Sequence, residues 1–178
     1  MDRRIEQALA LIDQATDGMS DEQLSWHPEG KWSSANILEH LSRAFSGTVK
    51  GMDRLLEAGK LDCRPCTLKE HAFIFAVAHA GFFPPGRKAP EMVVPKGIPP
   101  QQAMREIRAN LAAVDSALAR VEQKFGAAKV LPHPVLGPLT AKDWRKFHCV
   151  HTRHHMKQIR SLRAQAGISQ AKTAQVRS

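Results

Sequence analysis

Apolar residues recur along this chain mostly at helical spacing. Ile5, Ala8, Leu9, Leu11 and Ile12 form one stripe, which predicts an amphipathic helix over residues 2–16. "TDGMSDEQLSW" ends it, with Gly18 as a stop and Ser20 as the cap of a short turn. After the loop-like "HPEGKW", Ser33 or Ser34 caps a second helix reaching to about Glu57, before the breaker Gly59. The run over residues 67–81 reads as a third helix, although continuous apolarity alone does not separate it from a buried strand. Ile107, Leu111, Val114 and Leu118 mark a helix from about Pro99 to Lys124. A last helix begins at Thr140, whose hydroxyl suits a cap, with Asp143 three residues on where negative charge suits a helix start.

Between these helices the punctuation is heavy. Six of the eleven prolines lie between Pro84 and Pro100, together with Gly86 and Gly97, and no helix or strand interior tolerates that density. "GAAKVLPHPVLGPLT" reads as a second Pro/Gly loop. No strand set and no repeat stands out. The expected architecture is therefore all-α: a four-helix bundle with Pro-rich crossover loops, one domain over residues 1–167. The tail, residues 168–178, has few apolar anchors and should fray.

Composition changes this picture little. With 43% hydrophobic and 24% charged residues, the chain has the means to bury a core without crosslinks. The formal charge of +9 favours anionic partners, yet the basic residues are spread thinly and the chain has no Tyr. Neither an RNA-binding signature nor finger-type Cys–His spacing occurs, so nucleic acid is not an expected partner. The N-terminus alternates apolar with charged positions, unlike a signal peptide. The longest apolar run, "HAFIFAVAHAGFF", is too short for the roughly 18 residues of a membrane span. Three cysteines make no disulfide framework, and a soluble cytoplasmic protein is the expectation.

The chemistry concentrates in "DWRKFHCVHTRHHMKQIR", Asp143 to Arg160. On a helical wheel His151 and His155 are one turn apart, with Trp144, Phe147, Gln158 and Leu162 close to their direction. Arg145, Arg153 and Arg160 fall on the opposite arc, expected in water. An inward i, i+4 histidine pair can chelate one divalent ion, but the same spacing also occurs in helices without metal. His148 and His154 lie about 60° to either side and read as flanking residues. His40, in "KWSSANILEHLSRAFSG", is a candidate third ligand at the margin of its helix's core stripe, beside Asn36, Ala44, Gly47 and Gly51. Those small neighbours leave room for an ion; a histidine at a close helix contact is the plainer reading.

Other signals carry less. "CRPC", Cys63 to Cys66, lacks the second pair that a structural zinc site needs, and Cys149 lies opposite the histidine face. His71 and His79 are too far round a helix to share an ion, and His27 and His133 sit beside prolines where exposure is expected. Glu39 points away from the candidate ion on the wheel and is not assigned as a base.

Two motifs, W-x-P-x-G-K-W-S-x-x-x-I-L-E-H-L (Trp26 to Leu41) and F-H-x-V-H-x-x-H-H-x-x-Q-I (Phe147 to Ile159), resemble those of the DinB-like superfamily. The resemblance implies a four-helix bundle that binds a divalent metal through His40, His151 and His155, with His154 and Gln158 beside them. Three imidazoles leave a coordination position open, as in catalytic sites. Such ligands suit zinc or nickel first, then manganese, iron or cobalt. Characterised relatives include thiol S-transferases and isomerases using bacillithiol, mycothiol or glutathione, so the resemblance implies a small-molecule thiol and an electrophilic substrate, and a homodimer. A metal-dependent hydrolase and a non-enzymatic stress-response binding module are the alternatives. No catalytic side chain is assigned, and Arg43, Arg54 and Arg87 are candidates for positive charge near the mouth.

Overall fold

A computed structural model describes residues 1–79, 81 and 88–176, with Ala78, His79 and residues 168–176 as backbone only. Six α-helices follow in order: α1 (Arg3–Thr16), α2 (Asp21–Ser25), α3 (Ser34–Ala58), α4 (Leu68–Ile74), α5 (Pro100–Phe125) and α6 (Ala141–Val176). Between α5 and α6 stand two short strands, β1 (Lys129–His133) and β2 (Gly137–Thr140). The fold is mostly α with a small antiparallel hairpin.

Local chemistry sets most helix starts. Ser20 and Gln23 close a reciprocal capping box on α2, Ser33 and Asn36 on α3, and Thr67 and Glu70 on α4. Thr140 and Asp143 exchange the same pair of bonds at the start of α6. Each box satisfies two orphan donors and contributes about 1 kcal/mol. Gly59 ends α3 in a left-handed conformation at φ 71°. α4 continues into a π-helical turn, Phe75–His79, within the expected span of 67–81. Ala80 and the stretch Phe82–Arg87, which includes Pro84, Pro85 and Gly86 of the expected stiff loop, lie outside the described residues.

α3 packs along α5, and α1 along α6, while α6 also meets α3 and α5. The core runs between them, through Ile5 and Ile12, Leu38, Leu41, Phe45 and Met52, Ile107, Leu111 and Leu118, then Met156 and Ile159. Fully burying each of the larger side chains is worth about 1.5–3 kcal/mol, so this cluster dominates the folding free energy.

The structure corrects two expectations. The expected loop "GAAKVLPHPVLGPLT" holds the hairpin, with Leu131 opposite Leu139 and Pro132 opposite Pro138. Proline is tolerated because both strands are edges, and a register shift between Lys129 and Leu131 breaks the alternation that would have announced them. Trp144 Nε1 donates to Leu131 O at 3.1 Å and Lys129 pairs with Asp143 at 3.2 Å, fastening the hairpin to the start of α6. Arg145, expected in water, is buried, paired with Glu122 at 2.5 Å and within 3.8 Å of Asp2. α6 carries α1 on the side away from the histidines, so its early turns are covered on two sides. The backbone of α6 also stays helical past Gly167 to Val176. A single glycine costs a helix only about 1 kcal/mol relative to alanine and does not by itself stop it.

Candidate metal centre

His40 projects from the second turn of α3, and His151 and His155 from successive turns of α6. The cluster lies where those two helices meet. His151 Nε2 is 3.0 Å from His155 Nε2 and 3.4 Å from His40 Nε2, and one ring nitrogen of each residue lies within 4.8 Å of the others. With ligand bonds of about 2.0–2.1 Å, two nitrogens on one zinc-like ion stand about 2.9 Å apart at a right angle and about 3.3 Å apart at the tetrahedral angle. The two separations from His151 are close to the edges of such a polyhedron.

The outer nitrogens fix what the inner ones present. His40 Nδ1 is 2.9 Å from the Val93 carbonyl oxygen, which only accepts, so Nδ1 carries the proton and Nε2 a lone pair. His155 Nδ1 lies 2.7 Å from Gln158 Oε1, with the same consequence. Gln158 Nε2 in turn is 3.4 Å from His154 Nε2, which holds the amide in that orientation. Two lone pairs thus face His151 Nε2, which has at most one proton to share between them. A cation at their common point resolves the conflict. The donor set fits a divalent ion.

All three rings are buried, and burial is the first cause that keeps them neutral. It lowers His40, against the opposing pull of the Val93 carbonyl. His155 is pushed down to about 3 by burial and then by the charge His40 would carry, with Gln158 acting the other way. His151 falls well below the ordinary histidine range, through burial and then the neighbouring histidines. Neutral imidazole is the form that binds metal. Trp32 packs at 5.2 Å from the His40 ring, and Phe147 stacks on His151 at the same distance.

The remaining histidines do other things. His148 is fully buried, and its Nε2 lies 3.1 Å from Thr48 Oγ1, whose hydroxyl donates to Ala44 O. It borders Phe45 and Trp144 and lies outside the three-ring cluster. His133, expected at the surface, is half-buried in β1 against Phe147 at 4.4 Å, and its Nδ1 accepts from the Val135 and Leu136 N–H groups. The hairpin that the sequence concealed is what covers it. His27 is exposed as expected, His71 is exposed on α4, and the His79 side chain lies outside the described residues. Gly47 has open space beside it, whereas at Gly51 an added Cβ would stand 2.6 Å from Leu131. Of the two glycines on the His40 side of α3, the hairpin therefore fills the space at one and leaves it open at the other.

Cys63, Cys66 and Cys149 are free thiols, with Cys66 donating to Pro138 O and Cys149 to Gln7 Oε1, all away from the cluster. Arg43 donates to Met92 O at 3.0 Å, one turn beyond His40, while Arg54 is exposed near the far end of α3. Arg87 lies outside the described residues. Sequence reasoning missed Glu39: it is buried, and its carboxylate accepts from three successive backbone N–H groups, Lys96, Gly97 and Ile98. Its direction away from the ion was legible; a partner in the Pro-rich segment was not.

Fold and site together define a class: a mostly helical protein with three clustered histidines from two helices that could hold a metal ion. Among the described residues no helix is long and apolar enough to cross a membrane. The chain belongs to the DUF1569 family, a protein of unknown function, whose model matches residues 2–162 and so spans all three histidines. It is similar to uncharacterized protein YuaE of Bacillus subtilis (strain 168), at 27% identity over 149 residues, covering 82% of this chain and 86% of that one. No solved structure matches.

Proposed function

We propose that this protein is a metal-dependent enzyme of the DinB-like type, a thiol S-transferase whose divalent ion is held by His40, His151 and His155. The convergence of three Nε2 atoms, two of them with lone pairs fixed by outer hydrogen bonds, carries this reading. α1, α3, α5 and α6 would be the four rods of the bundle. Held by His40, His151 and His155, a divalent ion would supply a positive centre that favours the thiolate form of a bound thiol at neutral pH. In S-transfer the sulfur forms a bond to an electrophilic carbon, and the leaving group departs with its bonding pair. The chain's own part is to keep the imidazoles neutral by burial, to fix their tautomers through Val93 and Gln158, and to exclude bulk water with Trp32 and Phe147. Zinc or nickel suits the donor set best, and a cytoplasmic homodimer belongs to the same reading.

Elemental analysis of chain purified without added metal should find about one divalent ion per protomer. The loaded protein should then consume a low-molecular-weight thiol in the presence of a halogenated or epoxide electrophile faster than the free metal does. Thiol consumption no faster than free metal removes the transferase reading. Release of product from an ester or amide in the same preparation would favour the hydrolase instead.

A further inference from the structure

The segment Glu91–Pro99 lies across α3 with little secondary structure of its own, a single 3-10 turn over Glu91–Val93. Pro90, Pro95 and Pro99 stiffen it but supply no N–H donors. Three side chains of α3 hold it instead. Glu39 Oε1 accepts from Lys96 N at 2.7 Å, and Oε2 accepts from Gly97 N at 2.9 Å and Ile98 N at 3.2 Å. His40 Nδ1 donates to Val93 O, and Arg43 donates to Met92 O. The three N–H groups point at one carboxylate because Gly97 takes φ +82°, the left-handed geometry that turns successive amides to one side.

A carboxylate that is 2% exposed is costly unless its lone pairs are used. Here both oxygens are engaged by backbone amides, so Glu39 is not a proton acceptor for chemistry. Its consequence is felt one residue along. The strap it clamps carries, three residues before Lys96, the carbonyl that orients the His40 ring. We infer that Glu39 is a positioning residue for the metal: by clamping Lys96–Ile98 onto α3 it fixes the Val93 carbonyl, and through it the tautomer and direction of His40. The inference rests on the three-histidine reading above. It deepens that reading by making metal affinity depend on a carboxylate that is not itself a ligand.

Glu39→Gln tests it, because it keeps the shape of the side chain while replacing one acceptor by an amide that faces N–H groups. Zn²⁺ affinity, read by competition with a chromophoric chelator, should fall ten- to hundredfold, as expected for the loss of an outer partner of a ligand. The visible bands of the Co²⁺-loaded protein should shift toward fewer nitrogen ligands, and amide exchange at Lys96, Gly97 and Ile98 should quicken in metal-free protein. A milder second variant covers the case in which Glu39→Gln does not fold. Gly97→Ala strains the left-handed position with open space around its Cβ, and should weaken Zn²⁺ binding several-fold. Faster exchange with wild-type Zn²⁺ affinity and Co²⁺ bands would reduce Glu39 to a structural clamp and overturn the inference alone. A wild-type chain that takes up neither ion overturns the metal reading and the inference with it.

Discussion

His148 and His151 sit three residues apart on α6, both buried and both held neutral by burial, yet the protein uses them in opposite ways. His148 is absorbed by the core: its Nε2 meets the Thr48 hydroxyl, and aromatic rings surround it. His151 turns Nε2 toward two other imidazole nitrogens whose partners elsewhere have already settled their protons. The same residue type in the same helix is a core group bonded through one nitrogen to a hydroxyl in one place and part of an electron-rich hollow in the other. Burial does not separate the two; what the neighbouring nitrogens need does.

The sharpest way to break this contrast is His151→Ala. It removes the nitrogen shared by both close pairs, and metal content by elemental analysis should drop from about one ion per chain to none. A mutant that retains the ion would show that the hollow is not the binding site. Next in size, His148→Ala should leave metal content unchanged but lower stability by about 2–3 kcal/mol in denaturant unfolding, through a cavity and a lost hydrogen bond. Loss of the ion in that variant would erase the distinction.

Acid titration sharpens it further. In the folded chain His148 and His155 are pushed down to about 3 and His133 to about 4, all chiefly by burial, against about 6.5 when unfolded. Between those values the unfolded chain binds more protons than the folded one. Stability of the metal-free protein is therefore full above about pH 6.5 and is lost as pH falls toward 4, each histidine contributing a slope of about 1.4 kcal/mol per pH unit. Unfolding curves from pH 7 down to 4.5 should show this decline, and His148→Ala should make it shallower by about one proton. A flat profile would mean that these rings are already charged or open to water.

Smaller effects belong to the outer partners. Gln158→Leu removes the acceptor that fixes His155 and should weaken Zn²⁺ binding about tenfold. His154→Ala, one step further out through the Gln158 amide, should change it less than about threefold in the same chelator assay.

Much of this was legible beforehand for local reasons. Caps at Ser20, Ser33 and Thr140 and the stop at Gly59 are short-range hydrogen-bond and backbone effects, so sequence located them closely. The inward direction of His151 and His155 follows from helical period alone. The hairpin stayed hidden because two prolines and a register shift erase the strand pattern, and with it went the burial of His133 and the filled space at Gly51. Helical period alone puts Arg145 in water, because a single apolar stripe does not show that α6 is covered on two sides.

What the sequence determined by itself is the set of long helices, where most of them start, and the face each histidine of α6 presents, because those depend on contacts within a few residues. Tertiary structure alone decided that His40, 111 residues before His151, arrives within 3.4 Å of it, and that a proline-rich strap brings Val93 to His40 and the amides of Lys96–Ile98 to Glu39. Long-range approach depends on how whole elements pack, and packing is a property of the assembled core that no local pattern contains.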